Sequence, residues 1–346
     1  MKKLRKFLLC LMAAALACGM AAALTACGDS EIDTDAWAHS WVLGTASPED
    51  TVTGLYAEKF AEAVNELSGG EMSITVYHNS TLGSDTELIE SCQWGDIPFV
   101  VQNTAPQVSY LPRLCLFDAP CVFSTLDELH EVLDDNTFMT KINEIYAEGG
   151  FRLLAMADQN FRVMTSNKEI TSLSDFSGIK IRTMENSYHM TFWSALGANP
   201  SPMAFSELYT GLEQHTVDAQ ENPYEVIVSS RFYEVQKYVV ETNHLPHLLS
   251  LITNEEFYQS LTEEQQAIID EAAAIARDYA REQAIARADQ RIETINNSGT
   301  CQVISISDEL WEDMQEQSQD LYEDIRGVVD DDELFFAYVG DAYEGE

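Results

Sequence analysis

From Ala36 onward the apolar positions change period in a regular rhythm. Residues 40–45 read as a strand running into a loop over 46–50. Leu55, Tyr56, Phe60, Ala63, Val64 and Leu67 then recur at helical spacing until Gly69-Gly70 stops them. Met72, Ile74 and Val76 alternate with Ser73, Thr75 and Tyr77, the pattern of a strand with one buried face. A helix over 87–94 leads to the apolar strand Phe99-Val100-Val101, and Thr125-x-x-Glu128 has the form of a capping box opening another helix. A second block repeats the rhythm, with strands at 151–156 and 179–182 and helices near 187–196 and 206–212. Thr262 to Gln265 forms a further capping box at the head of a stretch free of Gly and Pro to about Asn297. As one helix it spans about 50 Å at 1.5 Å per residue, longer than one small lobe, and is expected to run along both. The β-α-β-α order predicts an α/β fold with largely parallel sheets covered by helices.

The N-terminus carries a different pattern. Lys2, Lys3, Arg5 and Lys6 precede an apolar run from Phe7 to Leu24, which ends in Leu24-Thr25-Ala26-Cys27-Gly28. This end resembles the lipobox of bacterial lipoproteins. The resemblance implies a signal peptide over 1–26, lipid on Cys27 as the new N-terminus, and a linker over 27–36. The small residues before Cys27 suit a signal peptidase, and the chain turns acidic at once with Asp29, Glu31 and Asp33. An uncleaved helical anchor is the alternative reading of the run. No later stretch approaches the ~18 apolar residues that a membrane span requires. The remainder is therefore expected outside the cytoplasm, in the periplasm or on the outer face, held to the membrane through Cys27.

Composition narrows the partners. Without the four cations of the signal, 15 Lys and Arg face 58 Asp and Glu, a net charge near −43. Nucleic acid is excluded, because its phosphates call for a basic face. Docking on anionic lipid by charge is excluded on the same ground. About 310 mature residues exceed one ordinary core, so two lobes are expected. Cys92, Cys115, Cys121 and Cys301 match no zinc spacing and sit in or near apolar stretches, which reads as buried thiols, a Cys115–Cys121 disulfide being the alternative. The tail from Asp330 reads as a solvated acidic end in which Phe335 and Phe336 pack locally.

Catalytic and metal motifs are sparse. No G-x-S-x-G elbow, phosphate-cradling loop or G-x-G-x-x-G is present, and His130-Glu131 starts a zinc-protease pattern without its second histidine. His244 and His247 flank Leu245-Pro246, a spacing that proline takes off the helical register. No enzyme activity, metal or cofactor is expected.

Two blocks are specific. One is Asn160-Phe161-Arg162-Val163-Met164-Thr165-Ser166-Asn167. The other runs from Gly178-Ile179-Lys180-Ile181-Arg182 through Leu196-Gly197-Ala198-Asn199-Pro200, Pro202-Met203-Ala204-Phe205 and Val217-Asp218-Ala219-Gln220-Glu221-Asn222-Pro223 to the segment Phe232 to Tyr238. Together they resemble the solute-binding subunit of tripartite ATP-independent periplasmic (TRAP) transporters, the DctP family, over essentially the whole mature chain. The resemblance implies a two-lobed periplasmic-binding-protein-like (type II) fold with a hinge and a long helix spanning both lobes. The lobes are expected over 37–158 with 246–288 and over 159–245 with 289–346. It also implies a monomeric receptor that closes on a small organic acid and passes it to the membrane permease.

By the same resemblance Arg182 grips the ligand carboxylate, with Arg162 as a second arginine, Asn222 and Phe205 as pocket residues, and Asn103, Asp85 and Ala46 at the pocket edge. The chemistry agrees, since a guanidinium pairs bidentately with a carboxylate and stays charged. The bland alternatives are a surface ion pair for Arg182, loop bracing for Arg162, a turn cap for Asn222 and plain core for Phe205. Trp193, Tyr188, Tyr224 and Phe205 are candidates for the far end of the cleft. His215 and Ala219 stand where the family usually has glycine, and alanine tolerates positive φ poorly, so the turn into Gln220 is expected to be reshaped. An organic-acid sensor for a signalling partner and a lipid-anchored hydrolase are the competing functions; the latter would need a nucleophile and base that the sequence does not offer.

Overall fold

The computed structural model describes residues 39–345; the signal segment, Cys27 and the linker lie outside the described residues. In chain order the strands are β1 (Ser40–Gly44), β2 (Ser73–Tyr77), β3 (Phe99–Asn103), β4 (Phe151–Ser166), β5 (Lys180–Thr183), β6 (Asn199–Pro202), β7 (Ala219–Asn222), β8 (Tyr238–Asn254) and β9 (Gln302–Ser305). The helices are α1 (Val52–Leu67), α2 (Asp85–Gln93), α3 (Leu126–Leu133), α4 (Asn136–Glu148), α5 (Ser187–Ala195), α6 (Phe205–Glu213), α7 (Tyr224–Ser229), α8 (Glu255–Ser260), α9 (Glu263–Asn297), α10 (Asp308–Glu316), α11 (Gln319–Val329) and α12 (Asp332–Val339). Both expected capping boxes form: Thr125 with Glu128 opens α3 and Thr262 with Gln265 opens α9, each satisfying two backbone N–H groups that the helix cannot.

The strands make one sheet in the order β2-β1-β3-β8-β4-β7-β5-β6, with β9 added on β8. The expectation of largely parallel sheets is corrected here. β1/β3, β5/β6, β5/β7 and β8/β9 run parallel, but β3/β8, β8/β4 and β4/β7 are antiparallel. The cause is a pair of long strands, β4 and β8, that cross from one lobe into the other. Their centres, Asp158-Gln159-Asn160 and Thr242-Asn243-His244, are polar. In the fold these stretches are mostly buried, Gln159 Oε1 accepting from Thr53 N of α1 and Thr242 Oγ1 pairing with His244 Nδ1.

The ladder between β4 and β8 breaks at the crossing. Its register shifts between Asp158 and Phe161, where Asn160 adopts φ 67° and Phe161 faces Pro246. A bulge opposite a residue without an N–H loosens the pairing at that point. On one side of the break β4 and β8 carry β3 and β1; on the other they carry β7, β5 and β9. The result is two α/β lobes joined through continuous strands.

The 35-residue helix α9 runs about 52 Å. Its buried face is a stripe of small residues, Ala272, Ala273, Ala276, Ala280 and Ala284, which lets it lie close against α1 and β4 before reaching α7 and β9. The acidic tail departs from the expected solvated end. Residues 332–339 form α12, with Leu334, Phe335 and Tyr338 buried, Tyr338 packed on Phe117, Phe123 and Phe138, and Phe335 edge-on to Phe336 as expected; Asp332, Glu333, Phe336 and Ala337 are exposed. An acidic composition hid a helix whose apolar face is complete. Cys92, Cys115, Cys121 and Cys301 are buried free thiols, so the Cys115–Cys121 bridge does not form. Among the described residues no helix is long and apolar enough to cross a membrane.

Candidate functional site

The carboxyl ends of the parallel strands converge between the lobes. Ala46 follows β1, Asn103 ends β3, Arg182 lies in β5 and Asn222 ends β7, while Asp85 and Phe205 open the helices after β2 and β6. All six line one cavity, together with Ser47, Met184, Val226 and His247. Crevices at strand ends are where open α/β sheets hold ligands, because the chain changes direction there and leaves side chains facing a gap. About 30 Å³ of this space is wide enough to admit a water molecule, less than an organic acid needs.

Arg182 is 2% exposed. Its Nε and Nη2 donate to the carbonyl oxygen of Met203, at 2.9 and 2.6 Å, which fixes one edge of the guanidinium. Among the described residues no group accepts from Nη1 or from the second N–H of Nη2. These donors form the fork that fits a carboxylate bidentately. Burial lowers the Arg182 pKa to about 10, partly offset by the field of Glu221, so the side chain remains a cation at neutral pH. Asp85 is half-buried as a residue, yet its carboxyl meets the cavity, where desolvation raises its pKa to about 6 against the pull of Arg182.

The two asparagines are held by their surroundings. Asn103 donates to Leu248 O and accepts from Ala105 N, and Asn222 donates to Gln220 Oε1. Phe205 packs edge-on against Phe232 and separates the cavity from a second one lined by Pro48, Tyr209 and Phe232.

Arg162 is placed differently from the expectation. It does not line the cavity but sits behind its wall, 1% exposed, with Nε and Nη2 on the Glu221 carboxylate, Nη2 also on Glu221 O at 2.6 Å, and Nη1 on His247 Nδ1. Because arginine only donates, His247 Nδ1 must accept, and the ring presents Nε2–H as its donor. Burial and the neighbouring Arg162 hold the His247 pKa well below the usual range, so the ring is neutral. Arg162 thus reaches the cavity through His247.

Glu221 anchors a buried cluster that sequence reasoning missed. His244 Nε2 lies 3.1 Å from its carboxylate and His189 Nδ1 3.8 Å, and His189 Nε2 meets Asp118 at 3.0 Å. Burial opposes ionisation of Glu221, but Arg162, His189 and His244 outweigh it and keep its pKa well below the usual carboxylate value. Burial likewise disfavours a charged His189, yet Asp118 and Glu221 raise its pKa to about 9. A usable signal stood inside the Gln220-Glu221-Asn222 run, where neighbours in a strand point to opposite faces. If Asn222 meets the cavity, Glu221 faces the other way, into the protein, and needs a cation.

Three of the aromatic candidates lie elsewhere. Trp193 is core against Phe176 and Phe192, Tyr188 packs on the core, and Tyr224 donates to Glu241. Ala219 lies in extended β7, and the positive φ falls on His215, at 55°, so the feared strain at the alanine is absent. Among the described residues no group of three His, Cys, Asp or Glu is placed to hold a metal ion.

Comparison with known proteins adds a family. The profile of DctP, bacterial extracellular solute-binding protein, family 7, matches residues 43–327. The ectoine-binding periplasmic protein TeaA of Halomonas elongata is 30% identical over 84% of this chain and 86% of its own. The C4-dicarboxylate-binding periplasmic protein DctP of Rhodobacter capsulatus is 30% identical over 77% of this chain and 80% of its own. The sugar-acid-binding protein DctPAm of Advenella mimigardefordensis, solved with galactonate, superposes with a TM-score of 0.82 at 29% identity, covering 88% of this chain and 97% of that one.

Proposed function

The chain belongs to the DctP family of bacterial extracellular solute-binding proteins, and from that premise we propose that it captures a small organic acid by its carboxylate on Arg182. Members of the family are extracytoplasmic receptors, not enzymes, and serve TRAP systems with membrane permeases. The observation that carries the reading is the half-used guanidinium of Arg182. It is a buried cation, fixed on one edge by Met203 and carrying unspent donors in a cavity between the lobes. A carboxylate satisfies it. His247 supplies a neutral second donor, oriented by Arg162.

The space as it stands is too small for an organic acid, so the lobes part to admit one. The break at Asp158–Phe161 opposite Pro246 is the proposed hinge, with lobes over 37–158 with 246–288 and 159–245 with 289–346. The receptor acts as a monomer tethered through lipid on Cys27, a role resting on the lipobox-like sequence alone.

A thermal-shift screen tests the carboxylate requirement. Galactonate, succinate and ectoine are compared with derivatives in which each carboxylate is replaced by its neutral amide. At least one acid is expected to raise the melting temperature, since ligand at a hundredfold its Kd stabilises by about 2.7 kcal/mol, while its amide does not. Equal stabilisation by acid and amide contradicts the reading.

A further inference from the structure

Besides Arg182, the cavity holds one other charged group, Asp85, and the two do not meet in a hydrogen bond or an ion pair. The Asp85 carboxyl has no hydrogen-bond partner among the described residues. The charged groups whose fields act on it are Arg182, Glu185 and Arg162, and the neutral His247 lines the same cavity. Glu185 accepts from Thr86, the residue after Asp85, at 2.6 Å, so a second carboxylate backs this end of the site. The remaining cation nearby, Arg162, has spent its donors on Glu221 and His247.

This arrangement is polar in one direction. A ligand carboxylate has one cation to meet, and with Arg182 taken by it a second carboxylate reaching towards Asp85 would meet two acids and no further cation to pair with. An unpaired buried charge disfavours binding strongly, whereas a hydroxyl or a cationic N–H placed there satisfies an acceptor that the protein leaves open. We infer that the ligand is an acid with a single carboxylate and, on the part that reaches Asp85, a hydrogen-bond donor, so that Asp85 selects against dicarboxylates. The inference rests on the carboxylate grip of Arg182 proposed above and adds the second pole of the ligand.

Calorimetric titration of the native protein and of Asp85→Asn and Arg182→Ala with galactonate, ectoine and succinate tests it. Galactonate offers neutral hydroxyl donors, ectoine a cationic N–H, and succinate a second carboxylate. The native protein is expected to bind galactonate or ectoine at least about tenfold more tightly than succinate, with the preferred probe identifying the kind of donor. Asp85→Asn is expected to shrink that preference by about tenfold or more. Succinate binding as tightly as the better of the other two overturns the inference, as does the failure of both donor-bearing probes to bind. An unchanged preference in Asp85→Asn overturns it too. If Arg182→Ala abolishes binding while Asp85→Asn changes nothing, the second pole is wrong and the carboxylate grip stands; if Arg182→Ala binds like the native protein, the grip itself fails.

Discussion

Arg162 and Arg182 are both buried cations near the same cleft, yet their surroundings differ in kind. Every guanidinium nitrogen of Arg162 has a protein acceptor, with Glu221 on two of them and His247 on the third. Arg182 has one backbone carbonyl and an open fork. A saturated buried charge belongs to the architecture, because removing its partner strands it, whereas an unsaturated one awaits a partner from outside. Sequence similarity made Arg182 the carboxylate grip and Arg162 a second pocket arginine; the count of acceptors takes Arg162 out of the ligand's reach.

The widest test of this difference is stability. Glu221→Ala strands Arg162 and His189 and is expected to cost about 3–5 kcal/mol in urea denaturation. Arg182→Ala removes a desolvated and incompletely paired charge, so the unliganded protein should change by less than about 1 kcal/mol. Equal costs would erase the comparison.

The Glu221 cluster also titrates. In the folded protein the His189 pKa is about 9, above the ordinary value of 6.5, so its contribution is fully present below 6.5 and is lost as pH rises through 9. Stability should therefore fall by up to roughly 3 kcal/mol between those limits, and His189→Gln should flatten that slope. Asp85 has the opposite sense within the site. Its pKa, raised to about 6 chiefly by burial, means that acidification below that value discharges it. If it accepts from the ligand, affinity for a donor-bearing acid drops below about pH 6, and Asp85→Asn removes the drop.

The smallest effect expected is at the rim. Arg287 and Arg291 of α9 hold both Asp50 and Glu225, joining the segment before α1 to α7. Asp50 is 65% exposed, so Asp50→Ala should cost only about 0.5–1 kcal/mol, and less in high salt.

Much of this was legible in the chain. Periodicity and capping residues located α1, β3, α3 and the full length of α9. Arg182, Phe205 and Asn222, read from the family-like blocks, and Ala46, Asp85 and Asn103, read from their places in the family-like order of strands and loops, meet around one cavity. What stayed hidden depends on long-range pairing. β4 and β8 continue through polar stretches because groups distant in sequence satisfy them, Thr53 of α1 for Gln159 and Glu221 of β7 for Arg162 and His244, which no local window reveals. The histidines looked scattered because His189, His244 and His247 come from different elements and meet only at the Arg162–Glu221 pair. The place of Arg162 behind the cavity wall stayed hidden for the same reason.

Calorimetric titration of Arg182→Ala is the most direct test of the difference between the two arginines, using whichever of galactonate, ectoine or succinate the native protein binds most tightly. Losing the cation from a buried charged pair costs about 2–5 kcal/mol, so the affinity should fall by roughly 30-fold to several thousand-fold. An affinity equal to that of the native protein would contradict the account.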